Sequence, residues 1–160
     1  MPRTKKKDQY TKKENRSLYV ILDPITKEFY IDYTLPHCLR NMYTKHYVET
    51  LGKTKNMIRQ MKEEGRRPCC FKLAEMFCTK VDAYRAVIGW TKIFVEQGYI
   101  NLDQGNIAEY IHDVFGEAKT IYDQNKNTDI KQNFNCNNCL FPIYKRQKCK
   151  LKVRGTNATN

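Results

Sequence analysis

No apolar run in this sequence approaches the roughly 18 residues that a membrane-spanning helix needs, and no leader pattern opens it. Those two gaps leave seven cysteines, an odd number, with no route to an oxidising compartment, so free thiols in a reducing, intracellular setting are expected. The sequon Asn157-Ala158-Thr159 carries no weight without secretion. No lipidation signal or basic amphipathic segment accompanies the charge, which argues against a membrane surface as partner. Internal repeats are also absent, and 160 residues are too few for two ordinary domains. One core with tails is the expected organisation.

Acid is missing as well, but only locally. Residues 131–160 hold seven Lys/Arg and no Asp or Glu, while residues 1–16 hold seven Lys/Arg against Asp8 and Glu14. The two ends therefore supply the whole formal charge of +12, and residues 17–130 sum to zero. Such tails associate with polyanions by releasing condensed counterions and need no folded surface, so nucleic acid, DNA foremost, is the expected partner of the ends. Lys5, Lys6, Lys7, Lys12 and Lys13 are the candidate contacts in the first tail, and Lys145, Arg146, Lys148 and Lys150 in the second. In the second tail Phe141 and Tyr144 interleave with the cations, which suits base stacking beside phosphate contacts.

Between the tails the pattern alternates strand and helix. Residues 1–16 lack apolar periodicity and are expected to be disordered. Leu18 to Leu22 form an apolar run, Asp23-Pro24 has turn chemistry and Phe29-Tyr30-Ile31 resumes strand character, which predicts an antiparallel hairpin. Leu35, Leu39, Met42, Tyr43, His46 and Tyr47 recur at three and four, predicting a helix to about Leu51. Met57, Ile58 and Met61 predict a short second helix that Gly65 stops, and Cys69 to Phe77 a buried third strand. Tyr84, Val87, Ile88, Thr91, Phe94 and Val95 fit a helix from Lys80 to near Gly98. The last amphipathic stretch, within residues 103–125, is acidic and offers a protein-binding face rather than a DNA-binding one. The Asn-rich stretch after it reads as a linker. The expected divisions are 1–16, 17–103, 104–125 and 126–160.

Cys136 and Cys139 have the two-residue gap of a zinc knuckle, with Cys149 as a candidate third ligand. No fourth Cys or His follows, so zinc competes with a set of free thiols.

The order hairpin, helix, short helix, strand, helix over Ser17 to Asp103 resembles the GIY-YIG nuclease domain. Its first motif falls on Ser17-Leu18-Tyr19 and its second on Tyr30-Ile31-Asp32. Arg40 and His46 match an arginine and a histidine of the following helix, and Gly65-Arg66-Arg67-Pro68 matches a later Gly-Xaa-Arg-Pro step. The resemblance implies an α+β fold: a small three-stranded antiparallel sheet with flanking helices, here with an extra C-terminal helix and basic tails. It also implies a Mg²⁺-dependent endonuclease site in which Tyr19, Tyr30, Arg40 and His46 are the catalytic candidates. The family's metal-binding glutamate falls on Val87, which cannot ligate Mg²⁺, an ion that demands oxygen donors. Asp82 and Glu96 do not share the face of Val87, and Asp32 is the candidate replacement carboxylate. Three functions follow: a DNA-binding protein whose hydrolysis is weak or lost, an active endonuclease with a rearranged metal site, or a regulator or inhibitor that uses the fold as a scaffold.

Overall fold

A computed structural model describes residues 11–42, 46–47, 52–103, 116–134 and 139–140. Strand β1 (Glu14–Leu22) turns through Asp23 to Lys27 into β2 (Glu28–Thr34). The turn is closed by Asp23, whose Oδ1 accepts from the amides of Ile25 (2.9 Å) and Thr26 (3.4 Å). Lys27 takes the left-handed conformation at φ 65°, and its amide donates to the Asp23 carbonyl. Glycine is the usual residue in that conformation.

β1 is an interior strand. It pairs antiparallel with β2, matching Tyr19 with Asp32 and Ile21 with Tyr30, and antiparallel with β3 (Cys69–Cys78) on its other side. Arg16 to Leu22 are buried without alternation because the strand has neighbours on both edges and cover on both faces. A bulge at Leu73 shifts the β1–β3 register between Leu18 and Tyr19.

Two features depart from expectation. The sheet has four strands in the order β3-β1-β2-β4 and is mixed rather than three-stranded and antiparallel. The added strand, β4 (Ile100–Asn101), runs parallel to β2, with the Ile100 amide donating to the Lys27 carbonyl and Leu102 to Phe29. Two residues carry no period, so only the partner strand reveals them. Strand β1 also begins at Glu14, inside the expected disordered tail, because the Arg16 guanidinium is buried against the Cys78 carbonyl at 3.1 Å.

Helix α1 (Lys55–Glu63) buries Met57, Ile58 and Met61, as the spacing predicts, and Gly65 at φ 69° follows it. Helix α2 (Lys80–Glu96) is capped by Thr79, whose side chain accepts from the Asp82 amide at 3.2 Å. It lies on one face of the sheet, where Phe94 stacks on Phe29 with ring centroids 4.9 Å apart. Helix α3 (Glu117–Asn125) packs on α2 at Gly89, where an added Cβ would lie 2.6 Å from the Ala118 carbonyl. Part of the stretch expected as linker belongs to this layer. Gln97 holds it with both ends of its side-chain amide, donating to the Thr128 carbonyl and accepting from the amide of Ile130, the first residue of α4 (Ile130–Asn133). Phe134 then packs on Phe71 and Phe94. The fold is α+β, and among the described residues no helix is long and apolar enough to cross a membrane. Of the helix expected to reach Leu51, a 3-10 turn at Pro36–Cys38 is described; residues 43–45 and 48–51 lie outside the described residues.

Candidate functional site

The pairing of β1 with β2 puts Tyr19, Ile21, Tyr30 and Asp32 on the face of the sheet opposite α2, since directly opposed residues point the same way. His46 sits on that face. Its Nε2 is 3.1 Å from the Tyr19 hydroxyl, its Nδ1 is 2.8 Å from Thr54 Oγ1, and its ring lies 5.9 Å from that of Tyr19 and 5.8 Å from that of Tyr30. A hydroxyl donates or accepts as required, so either neutral tautomer of His46 finds both nitrogens matched. Tyr19, His46 and Thr54 are each no more than 1% exposed.

Tyr30 donates to Asp32 Oδ2 at 2.9 Å, and Asp32 Oδ1 accepts from the Tyr33 amide at 2.8 Å. Both oxygens of this carboxylate are thus engaged. Both phenols are held far above the ordinary tyrosine range. For Tyr19 the main cause is burial, followed by the charge of Asp32; for Tyr30 it is burial, then the charge and hydrogen bond of Asp32, with Asp103 adding to it. At neutral pH these groups are proton donors, and a phenolate able to take a proton from water is strongly disfavoured.

Of the four catalytic candidates, Tyr19, Tyr30 and His46 converge. Arg40 is exposed, just beyond the 3-10 turn. Val87 is 2% exposed in the core cluster, so hydrocarbon fills the place where the resemblance puts a glutamate. Among the described residues no three His, Cys, Asp or Glu side chains gather to hold a metal ion such as Mg²⁺, and each Asp32 oxygen already accepts one hydrogen bond, from a phenol and from an amide.

Of the zinc candidates, Cys136 and Cys149 lie outside the described residues, while Cys139 is buried with its Sγ accepting from the Cys70 amide at 3.3 Å. Among the tail cations Lys12 and Lys13 are exposed, Lys12 reaching Glu14 at 3.8 Å; Lys5, Lys6, Lys7, Lys145, Arg146, Lys148 and Lys150 lie outside the described residues. In the acidic stretch of residues 103–125, α3 is described, with Asp123 joined to Lys119 and Lys126 and Glu117 to Arg85.

Thr54 and Asp103 belong to this neighbourhood but stand out in no motif. A threonine just before a helical period signals a cap, and here its hydroxyl faces His46 instead. The second structural anchor is Asp23. Arg66 Nη1 and Nη2 reach its two oxygens at 2.7 and 3.0 Å in a bidentate pair, with both side chains buried. That pair ties the loop after α1 to the hairpin turn.

Comparison with protein-family models, with curated proteins and with solved structures finds no match to this chain.

Proposed function

We propose that the protein binds DNA through a GIY-YIG-like domain whose phosphodiester hydrolysis is weak or lost. The observation that carries this reading is the half-built site: Tyr19, Tyr30 and His46 share one face with Asp32, whereas the glutamate position is Val87, sealed in the core. The antiparallel trio β3-β1-β2 with α2 on one face supports this reading, and β4 is an addition to what the resemblance implies. Hydrolysis needs a base for water, a cation for phosphate charge and a metal for the leaving side. The phenols are protonated donors here, and the carboxylate beside them is already bonded.

The test is a pair of assays on the full chain. Duplex DNA is expected to bind with an affinity that falls steeply between 50 and 200 mM salt, as about 10³-fold or more for a protein with six or more phosphate contacts. Supercoiled plasmid with Mg²⁺ is expected to remain intact. Magnesium-dependent nicking that disappears in Tyr19→Phe or Asp32→Asn would show an active, rearranged site and refute the loss of hydrolysis. Absence of DNA binding at 50 mM salt would refute the reading altogether.

A further inference from the structure

The zero net charge of residues 17–130 conceals a segregation. Along α2 and α3 the cations other than Lys80 are matched by acids: Arg85 with Asp82 and Glu117, Lys92 with Glu96, and Lys119 with Asp123, which also meets Lys126 just past α3. On β3, Lys72 meets Glu75. The opposite side of the sheet differs. Residues 52–67 hold Lys53, Lys55, Arg59, Lys62, Arg66 and Arg67 against Glu63 and Glu64, and the Glu64 carboxylate is taken by Arg66. Lys53, Lys55 and Arg59 are exposed and form no ion pair with any described residue.

Their placement is regular. Lys55, Arg59 and Lys62 stand at i, i+4 and i+7 on one flank of α1, and Met57, Ile58 and Met61 hold the other flank in the core. Beside them, Lys62 Nζ and the Arg67 guanidinium lie 4.8 and 5.1 Å from the centre of the Tyr47 ring, so one aromatic side chain holds two cations. Tyr47 follows His46 directly, and Thr54, the residue before α1, is the other hydrogen-bond partner of that histidine. The positive flank thus starts next to the Tyr19–His46 contact.

We infer that this flank of α1, from Lys53 to Lys62 with Arg67, is a docking surface for the phosphate backbone of duplex DNA, independent of the tails. The inference rests on the DNA-binding reading above and names the part of the folded core that performs it. From Lys55 to Lys62 the helix rises about 10 Å, which along the duplex axis spans about three base-pair steps at roughly 3.4 Å each. Flexible cations in a row position a duplex without reading its sequence, so the surface sets orientation and leaves sequence choice to other groups. An acidic protein segment is the competing partner, and competition between poly-glutamate and DNA separates the two.

The experiment uses the full chain and a 20-base-pair duplex, with affinity measured from 50 to 200 mM salt. Lys53→Gln/Lys55→Gln/Arg59→Gln is compared with Lys5→Gln/Lys6→Gln/Lys7→Gln, a substitution of equal charge in the tail. All three core positions are exposed, so native far-UV circular dichroism is expected. At about 0.9 in slope per phosphate contact, the α1 variant should lose about 2.7 from the slope of log K against log salt. Over this fourfold salt range, the wild type should therefore lose about 40-fold more affinity than the variant does. A slope unchanged within about 0.5, beside a reduced slope in the tail variant, overturns the α1 surface while leaving DNA binding in place. Competition by poly-glutamate as effective as by DNA also overturns it. No binding of the wild type at 50 mM salt removes the DNA-binding reading and this surface with it.

Discussion

Arg66→Met removes one half of a buried ion pair and leaves the other half in place. Asp23 is 1% exposed and accepts from both terminal nitrogens of Arg66 and from the amides of Ile25 and Thr26. Breaking such a pair from one side costs about 3–5 kcal/mol, because a carboxylate stays buried without its cation. The two amides remain after the substitution, which places the expected loss near the lower end, about 3 kcal/mol. The half-exposed Glu64 contact adds little. For a chain of this size that is a fall in Tm of about 6–12 °C. Equilibrium unfolding in urea gives the free energy directly.

The pH dependence makes the argument sharper. Burial alone would raise the Asp23 carboxyl, but the Arg66 hydrogen bonds, the Ile25 amide and the Arg66 charge outweigh it and hold the group below the ordinary value. In the wild type this contribution is complete above the unfolded value of about 3.9 and is lost as pH falls through the still lower folded value. In Arg66→Met burial acts without its main opponent, the carboxyl rises, and protonation relieves the strain of the uncompensated charge. The deficit against wild type should therefore be largest near pH 7 and shrink towards pH 4. Asp23→Asn combined with Arg66→Met should cost less than Arg66→Met alone. A loss under about 1 kcal/mol at pH 7, or a deficit that ignores pH, would refute the buried pair as an anchor of the hairpin.

Two further outcomes follow from packing and burial. Gly89→Ala should destabilise the fold by about 1–3 kcal/mol, because its Cβ meets backbone at the Ala118 carbonyl and α3 must shift off α2; a neutral result in thermal melts would show that the two helices part freely. Above about pH 10 stability should fall as tyrosines of the unfolded chain ionise while Tyr19 and Tyr30, whose phenols are raised in the fold, remain neutral. Tyr19→Phe should flatten that alkaline slope by about 1.4 kcal/mol per pH unit, and an unchanged slope in denaturant titrations would contradict the burial of this phenol.

What the sequence determined by itself is the local and the summed. Apolar spacing specified α1 and α2 almost to their ends, and the runs Leu18–Leu22 and Cys69–Phe77 marked two strands, since a side-chain period survives without knowing the neighbours. Tyr19, Tyr30, Asp32 and His46 were legible as candidates because their order along the chain follows a pattern. Their conjunction was not. That His46 sits between Tyr19 and Thr54, that Val87 turns into the core, and that Asp32 is consumed by Tyr30 and Tyr33 are long-range or side-chain facts that no spacing encodes. β4 has no signal in the sequence because two residues have no period until β2 lies beside them, and residues 128–134 resemble a linker because their hold on Gln97 and Phe71 spans distant parts of the chain. Charge shows the same division. Composition assigned the surplus to the two ends, yet net charge is a sum without direction, and only the fold pairs most cations of α2 and α3 with acids and leaves Lys53, Lys55 and Arg59 exposed without an ion pair to any described residue.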